Sequence, residues 1–145
     1  MVRRFAWVMV AAVLLPGLAG CARTPPDKAL RNTIGEVQQA IERRDASALQ
    51  QHLASDFIGT DGLDRDGARR LAQLVFLRHG DVDTSFGPLD IAMQERNATV
   101  RFTAALSGGG SGLLPETGQV YRVETGWRLK GDTWLLTSAH WVAEL

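Results

Sequence analysis

The chain has 145 residues, with 16 lysines and arginines balanced by 16 aspartates and glutamates, three histidines and a single cysteine. That length suits one domain of ordinary size and is too short for two. A neutral chain without a clustered basic stripe excludes nucleic acid as an expected partner, because phosphate binding needs grouped Lys and Arg to displace counterions. One thiol excludes an internal disulfide.

Met1 to Arg4 carries two positive charges, and Phe5 to Leu15 follows as an uncharged apolar run, the layout of a secretory leader. The run falls short of the roughly 20 residues of a membrane-spanning helix, and Pro16, Gly17 and Gly20 break a helix just beyond it. Leu18-Ala19-Gly20-Cys21 resembles the lipobox of bacterial lipoproteins. The resemblance implies diacylglyceryl attachment to the Cys21 thiol, cleavage before it, and acylation of the new amino terminus. Several acyl chains, at about 0.8 kcal/mol per buried methylene, hold a protein to a bilayer far more firmly than one. In the competing reading Cys21 is a small hydrophobe ending an uncleaved anchor. Ala22 stands where an aspartate would signal retention, which in lipoproteins of diderm bacteria implies passage to the outer membrane, facing the periplasm. The expected organisation is a signal peptide over 1–20, a lipidated tether over 21–27 kept extended by Pro25 and Pro26, and one domain over 28–145. Without Arg3 and Arg4 that mature chain carries 14 basic and 16 acidic residues.

Leu30, Ile34, Val37 and Ile41 recur at helical spacing after Asp27, predicting a first helix to about Arg44. Asp45 is placed to cap a shorter second helix through Leu53, and Phe57-Ile58 reads as a short extended piece. A third helix is predicted from a cap at Asp64, with Leu71, Leu74, Val75 and Leu77 on or near one stripe. It is expected to stop at His79-Gly80, with glycine in the left-handed conformation.

Beyond Gly80 the period shortens to two. Leu89, Ile91 and Met93 alternate with polar or small residues, Arg96-Asn97 turns the chain, and Val100, Phe102, Ala104 and Leu106 alternate again, predicting an antiparallel hairpin. "SGGGSG", Ser107 to Gly112, reads as a connector; without a lysine or a following helix it is no phosphate cradle. A long strand from Val120 to Lys130 places Tyr121, Val123, Thr125, Trp127 and Leu129 on one face, and Lys130-Gly131-Asp132 turns it into a last strand, Thr133 to Ala143. The implied fold class is α+β, three N-terminal helices packed on a curved, mostly antiparallel sheet.

Two helices, a short strand at "ASDFIGTDGLDRDGARRLAQ", a third helix and the closing "GWRLKGDTWLLTSAHW" resemble the nuclear transport factor 2-like superfamily of cone-shaped domains over nearly all of residues 28 to 143. The superfamily holds ketosteroid isomerase, cyclases and dehydratases beside non-catalytic members, so function has to be argued from the site. The isomerase pattern, laid along "DASALQQHLASDFIGTD", brings a catalytic base onto Asp61 at the mouth of the cone. The tyrosine that enzyme carries on helix one is matched here by Val37, with Gln38 beside it. Losing one oxyanion donor costs roughly 3 kcal/mol of transition-state stabilisation, so Asp61 alone makes a poor isomerase, and a turn and capping role competes.

"DGLDRDG" does not have calcium-loop spacing: with Gly67 as the sixth position, Gly62 stands where the first ligand belongs and Gln73 where the bidentate glutamate belongs. The three histidines lack zinc spacing, and neither a metal nor a cofactor is expected. His140, if it faces the cone, would orient a ligand; otherwise it is a rim or core histidine. Tyr121, Trp127, Trp134 and Trp141 either line an apolar pocket, form the core beneath the helices, or pair with a second subunit through the sheet face, as sheets in this superfamily often do. Together these point first to a membrane-anchored, non-catalytic binding module for a small hydrophobic ligand or envelope partner. The alternative is an isomerase, cyclase or dehydratase using Asp61 as base with His140 or Tyr121 as helper.

Overall fold

The computed structural model describes residues 23–109 and 117–144; the expected leader, Cys21 and residues 110–112 of the expected connector lie outside them, while its first half, residues 107–109, belongs to a strand. The elements are α1 (Pro26–Glu42), α2 (Ala46–Gln51), β1 (Leu53–Gly59), a 3-10 turn (Thr60–Gly62), α3 (Arg65–Arg78), β2 (Asp81–Phe86), β3 (Asp90–Met93), β4 (Asn97–Gly109), β5 (Thr117–Lys130) and β6 (Thr133–Ala143). They form an α+β domain around a curved, unclosed six-stranded sheet in the order β1-β6-β5-β4-β2, with β3 also on β4. β1 runs parallel to β6, and the other pairings are antiparallel.

Local chemistry sets the helix starts. Pro26 opens α1, where its missing N–H costs nothing and its fixed φ already suits a helix. Asp45 caps α2 by accepting from the Ala48 N–H at 2.9 Å, and Asp64 caps α3 by accepting from the Gly67 N–H at 2.6 Å; each satisfies a donor the helix cannot. The far end of α3 departs from expectation. His79 exits in an extended conformation (φ −117°, ψ 117°), and the glycines at positive φ are Gly62 and Gly131, not Gly80. The chain passes almost directly into β2, so no reversal is needed there.

α3 differs in a second way. Its inward residues are Ala68, Ala72 and Phe76, all only partly buried, while Leu71, Leu74, Val75 and Leu77 are exposed, Leu77 at 87%. At 100° per residue these four fan over too wide an arc for one seam.

The sheet has one irregularity that decides its faces. Gly126 pairs with Ser138 but Trp127 pairs with Leu136, leaving Thr137 as the extra residue of a β-bulge. Side chains alternate along a strand, so Trp134 and Leu136 point inward before the bulge, and Ala139 and Trp141 point inward after it. On the neighbouring strand Tyr121, Val123, Thr125, Trp127 and Leu129 face the same way throughout.

The core is Leu30 and Ile34 of α1 packed with Leu53, Phe57, Ala98, Val100, Trp127, Trp134, Leu136 and Ala139. Trp134 is 1% exposed, and its indole N–H donates to the Pro26 carbonyl at 3.1 Å, pinning the start of α1 to β6. The Trp127 indole donates to Thr125 Oγ1 at 2.8 Å, whose hydroxyl donates to the Val100 carbonyl at 3.1 Å. Buried polar atoms are thereby paired, as burial requires. Trp134→Ala is expected to lower the unfolding free energy by about 3–5 kcal/mol, and Trp134→Phe by about 1–3 kcal/mol for smaller volume and the lost indole hydrogen bond; urea titrations of the two variants measure both.

Candidate functional site

The first place to look is the concave side, where α1 crosses the sheet. Val37, the position matched to the isomerase tyrosine, packs half-buried against the core. Beside it Gln38 donates through Nε2 to the Thr84 carbonyl at 2.9 Å and to Glu42 Oε1 at 3.2 Å, and the Thr84 hydroxyl donates to the same Glu42 oxygen at 3.1 Å. This cluster fastens the end of α1 to β2. Its amide donors are spent on that task, so Gln38 is not a free replacement for the missing tyrosine. Further along, Phe86 and Phe102 stack at 4.8 Å between centroids and 45° between planes, the aromatic contact geometry expected for tilted rings.

Asp61 sits on the 3-10 turn between β1 and α3, exposed, with φ 59° and ψ 28°. A non-glycine residue in the left-handed region is uncommon, although aspartate tolerates it better than most. The turn is held to the sheet by Thr60 Oγ1, which accepts from the Trp141 N–H at 3.2 Å. Among the described residues Asp61 itself has no hydrogen-bond or ion-pair partner, His140 included.

His140 does not face the concave side. The Thr137 bulge reverses the alternation of β6, so His140 lies on the outer face opposite Glu124 and is exposed. The structure therefore separates Asp61 and His140 instead of assembling them. Trp127 and Trp134, weighed as pocket lining, belong to the core cluster. Tyr121 is half-buried on the inner face of β5.

The outer face has its own architecture, which the sequence reading passed over. An open depression of about 700 Å³ is bordered by Pro88, Arg101, Arg122, Glu124, His140 and Val142. Arg101 Nε donates to Glu124 Oε2 at 2.7 Å and Arg122 Nε to Glu144 Oε1 at 3.2 Å. Towards the other end Arg128 holds Asp56 through both oxygens, at 3.2 and 3.0 Å. Val142 protrudes at 68% exposure. Each carboxylate in these pairs is already paired with an arginine, which makes the face one of mixed charge and a poor source of a proton acceptor. The only sequence signal for it was the outward half of the strand alternation at 101, 122, 124 and 128.

Neither comparison by sequence identifies relatives: no family model matches the chain, and no curated protein does. Comparison of folds finds structures of the same shape. A candidate dehydratase of the nuclear transport factor 2-like family from Streptomyces avermitilis superposes with a TM-score of 0.75 at 18% identity, covering 83% of this chain and 97% of that one. The fold is that of the nuclear transport factor 2-like proteins. A candidate scytalone dehydratase from Novosphingobium aromaticivorans gives 0.75 at 10% identity, with 82% and 84% covered. A nuclear transport factor 2-like superfamily protein from Salmonella enterica serovar Typhimurium gives 0.71 at 12%, with 83% and 92% covered. At these identities the likeness extends to the fold alone.

The bidentate Arg128 contact holds the Asp56 carboxyl below its ordinary value of 3.8. A carboxyl whose pKa is depressed by folding stabilises the native state above its unfolded pKa and loses that contribution as pH falls through the folded value. Asp56→Asn should therefore cost a little stability at neutral pH, and the difference from wild type should close only below about pH 4. Thermal melts across pH 2–7 check this.

Proposed function

We propose that this protein is a lipid-anchored envelope lipoprotein whose nuclear transport factor 2-like domain is a non-catalytic interaction module, acting through the outer face of its sheet. The observation that carries the reading is the Thr137 bulge. It sends His140 outward while Trp134 and Leu136 fill the core, so of the two helpers an Asp61-based enzyme would draw on only Tyr121 stays on the inner face, with no tyrosine on α1 beside it. The occupant we favour for the outer face is a second copy. Arginines and glutamates alternate there, and a two-fold axis can set each sign against its opposite, with Val142 and Val120 as apolar contacts. A small hydrophobic ligand would instead settle near the half-buried Tyr121 and Trp141. Anchorage rests on the lipobox resemblance at Cys21, and the outer membrane facing the periplasm on Ala22.

Sedimentation of the chain solubilised in detergent is expected to show a dimer, and Arg122→Glu combined with Val142→Asp should weaken it at least tenfold. A monomeric wild type would remove the second copy from the reading. Cys21→Ser should leave an uncleaved precursor without its acyl chains, seen by mass spectrometry of native envelopes; normal processing of the variant would sink the anchor.

A second reading is a dehydratase-type enzyme with Asp61 as general base, favoured by the left-handed backbone at that residue, since such conformations gather at functional sites, and by the candidate dehydratases that share the fold. Turnover of a dehydratase substrate that collapses in Asp61→Asn, with the fold intact, would promote it above the first.

A further inference from the structure

Among the described residues nothing packs on the outward arc of α3. Arg70, Leu71, Leu74, Leu77 and Arg78 are all exposed, with Leu74 at 45% and Leu77 at 87%, while the inward side meets α2 and β1 through small residues and Phe76. Charge is segregated here. In a chain of zero formal net charge, α3 carries four arginines against the single Asp66. Asp66 accepts a hydrogen bond from Gln50, and Arg65 is committed to the carbonyls of Leu53 and Gln50. Arg70 and Arg78 have no side-chain partner among the described residues, and neither do Arg43 and Arg44. Those last two border an open depression with Asp45, Arg69, Phe76 and Leu77, so three arginines stand there against one aspartate, beside apolar side chains from α3.

We propose that this face docks on an anionic lipid surface, with α3 lying in the plane of the headgroups. A helix that interleaves leucine with arginine binds such a surface by sinking its apolar side chains to the acyl boundary while the guanidinium groups reach the phosphates. No helix among the described residues is long and apolar enough to cross a membrane, and lying flat asks for neither length nor a groove. A second copy fits this face badly, because a two-fold contact would set Arg70 and Arg78 near their own equivalents. The proposal rests on α3 and its neighbours and holds whether or not Cys21 is acylated.

Position-resolved fluorescence tests it. In the full chain with Cys21→Ser and Leu77→Cys, an environment-sensitive fluorophore on the one thiol reports water or lipid at that place alone, regardless of what the leader does. On vesicles of phosphatidylglycerol and phosphatidylcholine in equal parts its emission should shift to the blue and be quenched by brominated acyl chains; on phosphatidylcholine alone it should do neither. Arg70→Gln with Arg78→Gln should raise the lipid concentration needed by up to roughly 25-fold, each basic side chain near an anionic surface contributing roughly fivefold, and salt at about 0.5 M should act the same way. The same label at Leu74 supplies the reading if Leu77→Cys prevents folding. A label that stays in water on the anionic vesicles overturns the proposal. So does one that becomes buried without vesicles as protein concentration rises, which would mean that another copy covers the helix.

Discussion

The unpaired Thr137 sets the identity of both sheet faces. Strict alternation along β6 would send Trp134, Leu136, Ser138 and His140 to one side, burying a serine and a histidine beneath α1 and leaving Ala139 and Trp141 in water. One inserted residue exchanges the second half of that set. Two apolar side chains before the bulge and two after it then meet the same core, and the polar pair goes outward. The residue facing the bulge is Gly126, where a Cβ would stand 2.5 Å from Ser138 Oγ and would make the serine hydroxyl turn away. A close approach of this kind is what a glycine in mid-strand commonly marks.

Around that sheet the helices are fastened by a few polar contacts at their ends more than by long apolar seams. α1 is held at its start by the Trp134 indole and at its end by the Gln38, Glu42 and Thr84 cluster. Between those points Leu30 and Ile34 bury completely or nearly so. α3 has only the polar contacts at its start, where Arg65 donates to the Leu53 and Gln50 carbonyls and Asp66 accepts from Gln50, and none of its residues is fully buried. It leans on α2 and β1 through alanines, with Asp64 as its cap, and it leaves its larger side chains free. At the position beside Val37, chemistry that would need a donor finds the Gln38 amide already in use.

Much of this was legible in the sequence because the signals were local. Asp45 and Asp64 stand where caps belong, Leu30 and Ile34 mark a helical stripe, and Lys130-Gly131-Asp132 announces the last hairpin, with Gly131 at φ 62°. Four features were hidden. β2 is six residues long and buries only Val82 and Thr84; its strand character comes from pairing with residues 104–109 of β4, partly through glycines whose backbone pairs as well as any other. The bulge has no glycine or proline at Thr137 to betray it, so alternation alone could not tell which face His140 takes. In α3 the leucines looked like a seam, because sequence spacing reports which residues share an arc and not whether anything covers it. The paired charges of the outer face were invisible for a related reason: Asp56 and Arg128 meet only through the sheet's strand order.

The position of β6 also governs when the domain can form. It lies between β1 and β5, joining Leu53 to Leu136, so the first strand stays unpaired in the sheet until the end of the chain exists. Contacts this distant in sequence are slow to close, and an emerging polypeptide would carry Phe57 and the α1 stripe exposed through nearly all of its synthesis. Such a chain folds late and as a unit, and until then it depends on whatever shields its apolar segments.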